Sequence, residues 1–446
     1  MLGFVGMWAK SSTRLGVEAV GVMAGVGLWI PVARAEPHQM CLYLDIGGDF
    51  WDASPRAADG RDFREEYGRN EGHTTFPAQR WLARVRDEAA DEIVFGWQPL
   101  DGNGCAAFEL PGGETELTME WMRWAVWNEE GVETGNQLVG YDCDAVMMNC
   151  TLRSRARTIS ANMVTGITKV VLEPFDPVGS GVEQIDLAFW AATFAEERFA
   201  SLGEQPLDET RIYVGYDPQN ILRGATQADR TFGNQPSVVI DGESWHSKFT
   251  VAHELGHQQT MVASQAAFSP DDLDYCYDPS VYPLTAAGCT PNHMLTSHEW
   301  QAAAAIEGIA HWYSVSVWND VDLVECGACQ PGVRYVSPSA ADVAQDYPVP
   351  RGAPWCTTLG EPQCPAGVGN EWDWLSAFRL FRLDAPTQPS FRTMLTMLSA
   401  FYATGNWNRN FASDAFWTGL DQTMAVHLGP NHAAWQAAAM QMELDR

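Results

Sequence analysis

The stretch Phe249-Thr-Val-Ala-His-Glu-Leu-Gly-His-Gln258 decides how this chain is read. It sits inside a segment, 248–263, that reads as a helix. On a helix, positions four apart lie one turn above each other, so His253 and His257 present their imidazoles on one face. Two neutral imidazole nitrogens at that spacing suit a single tetrahedral Zn²⁺ ion. Glu254 lies one step round the helix, beside such a metal without pointing at it. There it can take a proton from a metal-activated water and pass it to a leaving group. Val251 and Leu255 fall on other faces and are expected to bury against a sheet, and Gly256 permits close approach of neighbouring backbone.

A third protein ligand is required, and the candidate lies 50 residues after His257 in Ser297-His-Glu-Trp-Gln-Ala-Ala-Ala-Ala-Ile-Glu-Gly-Ile-Ala-His-Trp-Tyr313. The alanines at 302–305 put this helix inside the protein, where the Glu307 carboxylate needs a partner that a divalent cation supplies. With both stretches in view, the chain resembles the gluzincins, zinc peptidases whose third ligand is a Glu on a later helix in a Glu-Gly-x-Ala context. Glu307-Gly308-Ile309-Ala310 matches that context. The resemblance spans 248–263 and 297–313. It implies a zincin-type fold, Zn²⁺ held by His253, His257 and Glu307, Glu254 as general base, and a protein or peptide substrate. Gly308 and Ala310 are expected to let this helix pack tightly against the first. The metzincin pattern needs a His where Ala263 stands, which sets that family aside.

Rival candidates share the second helix. Glu299 lies about 80° round from Glu307 at 3.6 residues per turn, as a ligand or as a group orienting His253 or His257. His293 and His298 are further possibilities. His311, one turn after Glu307, is a catalytic candidate as an oxyanion donor, or alternatively a support for a ligand. Tyr313, Tyr277 and Tyr282 compete for the donor role. The short run Ser237–Ile240 resembles the sheet-edge strand that pairs with extended substrate in zincins. The acidic cluster Asp271, Asp272, Asp274 and Asp278 offers oxygen ligands for Ca²⁺ without EF-hand spacing, but a solvated acidic loop is the better account of it.

The rest of the chain supplies context. Residues 36–155 read as short strands separated by turns: Cys41–Ile46, Trp81–Val85, Glu92–Trp97, then Asp101-Gly-Asn-Gly104 and Cys105–Leu110. This pattern predicts a β-sandwich-like accessory module, and it resembles the transthyretin-like modules attached to many exported bacterial enzymes. Residues 156–446 change character, with helices expected at 185–202, 248–263, 297–318, 372–384, 389–403, 413–426 and 431–444 and strands at 211–216 and 237–240. The expected class is therefore α+β, a sandwich followed by a mainly helical zincin-type domain with a small sheet. Residues 320–370, rich in Pro, Gly and Cys, carry no periodicity.

Residues 1–35 read as an export signal. Lys10 and Arg14 precede an uncharged run from Ala19 to Val32, and Ala33-Arg34-Ala35 supplies a cleavage site. That run is too short to span a bilayer comfortably, and no other stretch reads as a span. The protein is accordingly expected to be secreted, periplasmic or on the cell surface. All ten cysteines follow the cleavage site, as disulfides in an oxidising compartment require. Pairs 143/150, 276/289 and 356/364 are close enough in sequence to be local bridges, and Cys326–Cys329 is read as structural. A formal net charge of −30 repels nucleic acid and anionic membrane surfaces. An alternative to a peptidase is a surface adhesin or protein-binding module whose zinc is structural, for which the 19 tryptophans are the motive. Phosphate-binding and serine-nucleophile motifs are lacking.

Overall fold

The structure, a computed structural model, describes residues 36–45, 75–110, 115–127, 137–143, 150–161, 167–172, 184–201, 207, 210–215, 227–229, 237–241, 248–263, 301–319, 371–387, 391–403, 414–442 and 444. Over these residues the chain is mixed α and β. The expected signal segment, the Asp271–Asp278 cluster, Glu299, His293, His298, Tyr277, Tyr282 and residues 320–370 lie outside them.

Two sheets form. The smaller has β1 (Glu36–Asp45) at its centre, parallel to β10 (Ile167–Leu172) on one side. On the other side it pairs antiparallel with β5 (Cys105–Leu110) and β2 (Thr75–Pro77). Cys41 and Cys105 face each other across the β1–β5 ladder and are bridged by a disulfide, a pair that the sequence reading left open. Gly104, with φ +71°, turns the chain into β5 where a side chain would press on the carbonyl oxygen of Leu42 at 2.8 Å.

The larger sheet has nine strands. Its path runs β12 (Gln227–Asp229), β13 (Ser237–Asp241), β11 (Thr210–Gly215), β7 (Gln137–Cys143), β6 (Thr115–Val126), β3 (Trp81–Asp87) and β4 (Glu92–Pro99). Branches are β8 (Cys150–Thr151) on β7 and β9 (Ser154–Ala161) on β6. Cys150 is disulfide-bonded and stands opposite Cys143 in the β7–β8 ladder. Strands β7, β11 and β13 run parallel, whereas β12 closes that end antiparallel. No break in the sheet falls at the boundary expected at 155–156: β9 straddles it, and β7 pairs with β11 across it.

Seven α-helices are described: α1 (Gln184–Ser201), α2 (Lys248–Ala263), α3 (Gln301–Asn319), α4 (Glu371–Asp384), α5 (Phe391–Ala403), α6 (Asp414–Leu428) and α7 (His432–Gln441). Each lies within a few residues of the span that apolar periodicity predicts. Helix α1 crosses the large sheet. Phe189 packs on Trp81 with ring centres 5.2 Å apart, and it fits because β7 carries Gly140, where a Cβ would sit 2.9 Å from that ring. The Trp81 indole donates to the Thr193 hydroxyl at 3.2 Å, so the buried ring keeps a polar partner. The next residue on β7, Tyr141, points to the opposite face and stacks on Tyr213 of β11.

Helix α2 lies against α1 and the β12–β13 end of the sheet, and α3 lies on α2. An aromatic series including Trp312, Phe391, Phe378, Trp374 and Trp435 then joins α3 to the C-terminal helices. Three of the 19 tryptophans, Trp312, Trp374 and Trp435, are fully buried here.

Candidate metal centre

Helix α2 is buried along the whole stretch 251–260, so its histidines stand inside the protein. Two contacts fix its pose. The Gln258 side-chain amide donates to the Ser237 carbonyl of β13 at 2.7 Å, tying the helix to the sheet. On the other side, Gly256 meets α3: a Cβ there would lie 2.8 Å from Ala310 Cα and 3.1 Å from the Ala310 carbonyl oxygen. The two backbones touch because neither residue carries more than a methyl group. The small residues on α3 divide their work. Ala310 faces α2, but Gly308 faces α4, where a Cβ would lie 2.4 Å from Trp374 Cβ and 2.8 Å from the Glu371 carbonyl oxygen. Tight packing of Gly308 against the first helix, expected from sequence, is therefore replaced by packing against the fourth.

That approach of α3 to α2 brings three donor atoms together. His253 Nε2 and His257 Nε2 are 3.0 Å apart, His253 Nε2 is 3.0 Å from Glu307 Oε2, and His257 Nε2 is 3.2 Å from the same oxygen. All three residues are buried. A tetrahedral Zn²⁺ with bonds of about 2.1 Å requires donor separations of about 3.4 Å, so outward shifts of a few tenths of an ångström would seat one. The donor set fits the chemistry as well. Three lone pairs converging in a buried spot repel one another unless a cation lies between them. Burial, with His311 and His257 alongside, holds the His253 imidazole down at about 3, so it stays neutral and able to ligate. Burial pushes the Glu307 carboxyl up, but His257 and His253 outweigh it and leave the group well below the usual range, hence ionised.

Glu254 is buried next to this triangle, with Oε1 4.0 Å from His253 Nε2. His311 stands elsewhere. Its Nδ1 lies 3.1 Å from His253 Nδ1, and its Nε2 lies 3.5 Å from Glu371 Oε1. Both ring nitrogens of His311 thus lie against protein atoms. Tyr313 is also engaged, since its hydroxyl donates to Glu196 at 2.6 Å, which leaves it no part as an oxyanion donor in this arrangement.

Glu196 belongs to a second buried polar group on the same helices, one not singled out from sequence. Besides Tyr313, it accepts from the Leu207 backbone N–H at 2.8 Å and from the Gln259 amide at 3.2 and 3.3 Å. It thereby joins α1, α2 and α3. Burial pushes its carboxyl up, opposed by the hydrogen bonds from Tyr313, Leu207 and Gln259. Tyr313 is pushed well above its ordinary value by burial and by Glu196. The available signal was a carboxylate one turn before Phe199 on a mostly apolar helix.

The strand beside the site also differs from expectation. Ser237–Ile240 is not the outer strand, because β12 pairs antiparallel along its free side through Gln227, Ala228 and Asp229. Among the described residues, the edge nearest α2 is therefore β12. Comparison of the chain with protein-family models, curated proteins and solved structures yields no match. Among the described residues, no helix is long and apolar enough to cross a membrane.

Proposed function

We propose that this protein is an exported zinc-dependent peptidase of the zincin type, gluzincin-like, with His253, His257 and Glu307 as zinc ligands and Glu254 as general base. The observation that carries this is the triangle of two imidazole nitrogens and one carboxylate oxygen, with edges of 3.0–3.2 Å and a further carboxylate 4.0 Å from one corner. A set of three protein ligands, two His and one Glu, is the pattern of catalytic rather than structural zinc sites. Zinc held there supplies Lewis acidity toward a carbonyl and acidifies water. Glu254 supplies the proton acceptor, set beside the ligands on the same helix and carried by no flexible loop. It can receive a proton from the attacking water and deliver it to the departing amine. Strand β12, with its outer side toward α2's end of the sheet, is the natural rack for an extended peptide pairing backbone to backbone.

Cleavage of a diverse peptide library by the wild type and by Glu254→Gln tests the proposal. The variant keeps the ligand set and one oxygen but cannot take up a proton. Turnover should fall by about 10²–10⁴-fold while bound zinc is retained. Equal cleavage by the two proteins would sink the proposal. A zinc-loaded wild type that cuts nothing would favour a binding protein with a structural metal.

A further inference from the structure

His253 can offer Nε2 to a metal only when the single proton of its neutral ring sits on Nδ1. Nδ1 of His311 lies 3.1 Å from that nitrogen. The proton is then donated to the His311 Nδ1 lone pair, and neutral His311 must carry its own proton on Nε2. That nitrogen faces Glu371 Oε1 at 3.5 Å, and an ionised carboxylate accepts only. The order of donors is therefore consistent from end to end, with no atom asked to do two things. The reverse order would put the His253 proton on Nε2, where His257 and Glu307 compete for it at 3.0 Å each, and would close that nitrogen to a metal.

The far end of this chain is also built. Glu371 is the first residue of α4, in the first turn, where the helix dipole favours a negative charge. It is buried, as is His311. Helix α4 reaches His311 because Gly308 stands three residues earlier on the same side of α3. A Cβ at 308 would meet the Glu371 carbonyl oxygen at 2.8 Å and Trp374 Cβ at 2.4 Å. One missing side chain thus lets the helix that carries the carboxylate dock against the ring it faces.

We propose that Glu371, acting through His311, is a positioning residue that fixes the Nδ1–H tautomer of His253 and so readies Nε2 for the metal. Helix α4, more than 110 residues beyond the His253–His257 motif, becomes part of the metal centre. This inference rests on the zinc reading above, and its test uses binding rather than cleavage so that the two can fail separately.

The experiment compares the full-length wild type with His311→Leu and His311→Gln. Zinc affinity is read by competition with a chromophoric chelator, and the His253 tautomer in metal-free protein by long-range ¹H–¹⁵N correlation. Leu removes the acceptor; Gln restores it, because its amide oxygen accepts from Nδ1–H and its amino group donates toward Glu371. His311→Leu should bind zinc about 10–100-fold more weakly and lose the pure Nδ1–H signature, whereas His311→Gln should stay close to the wild type in both. Should His311→Leu fail to fold, Glu371→Ala carries the same expectation. A Leu or Ala variant with unchanged affinity and tautomer overturns the inference, as does a Gln variant as weak as Leu. A folded wild type that binds no zinc defeats the zinc reading beneath it, and the inference with that reading.

Discussion

Replacing Gly256 by Ala adds one methyl group at a close backbone contact between α2 and α3, the two helices that carry the triangle. The new Cβ would lie 2.8 Å from Ala310 Cα, 3.1 Å from the Ala310 carbonyl oxygen and 3.1 Å from Tyr313 Cβ. All three neighbours are on α3, and two of them are backbone atoms that cannot rotate away. Carbon atoms settle at about 3.5–4.0 Å, so α2 and α3 must separate by about 1 Å. His253 and His257 share α2, so the edge between them survives. Both edges to Glu307 cross from α2 to α3 and must lengthen toward about 4 Å, beyond the few tenths of an ångström that a metal site tolerates. Overpacking costs about 1–3 kcal/mol, and exchanging a helical Gly for Ala returns about 1 kcal/mol. The net loss of stability in metal-free protein is therefore no more than about 2 kcal/mol. Zinc affinity should fall by at least about 100-fold, since disturbing even the outer support of a metal ligand costs 10–100-fold. Gly140→Ala is the control, because its Cβ would press on the Phe189 ring at 2.9 Å, away from the triangle. Thermal unfolding in chelator and zinc competition, run on both variants, separate the two effects. Gly256→Ala binding zinc as tightly as Gly140→Ala, at equal loss of stability, would refute the claim that the α2–α3 contact sets the ligand geometry.

Zinc at about 1,000 times its dissociation constant should stabilise the wild type by about 4 kcal/mol, seen as a rise in melting temperature that excess chelator reverses. Glu307→Gln should lose most of that rise, because a neutral amide replaces the only charged donor of the triangle; an undiminished rise would place the metal elsewhere. Glu196 gives a pH dependence of its own. Its carboxyl is raised in the folded protein, so the folded state holds a proton that the unfolded chain releases near the ordinary value of about 4.3. That stability is complete below the ordinary value and is lost as pH rises through the folded one. In chelator, Glu196→Gln should therefore show a flatter decline toward neutral pH than the wild type. Parallel curves for the two would remove Glu196 as the source.

The helices were legible because each has an amphipathic or small-residue pattern. His253, Glu254 and His257 were legible because spacing on one helix fixes their relation. Glu307 was reachable from its setting, a carboxylate among alanines. The partners of these residues were not legible, because nothing local relates Glu371 to His311 or Glu196 to Tyr313. Such pairs, 60 and 117 residues apart in sequence, exist only once helices dock. Strand β6 shows a second limit. Leu117, Met119, Trp121 and Ala125 alternate inward as a strand should, yet Arg123 interrupts the apolar face. Its charge is met by Asp186 of α1 at 2.6 Å, a partner 63 residues away. The extent of the large sheet was misjudged for a related reason. Parallel neighbours such as β7 and β11 carry no turn signal between them, because a long connection separates them.

That β7–β11 pairing bears on how the molecule can be cut apart. Strand β7 sits inside the sheet, between β6 and β11, so the boundary near residue 155 is not a seam. A fragment beginning there would carry the metal triangle but would leave β11 with an open row of amides and carbonyls where β7 belongs, and the inner ring of Phe189 without its floor. Such an edge recruits other chains. A proteolytic nick in the same place would leave the two pieces clasped together along the ladder. The half that carries the His253–His257–Glu307 triangle is thus not a portable module, because its sheet is completed by the strands that precede it.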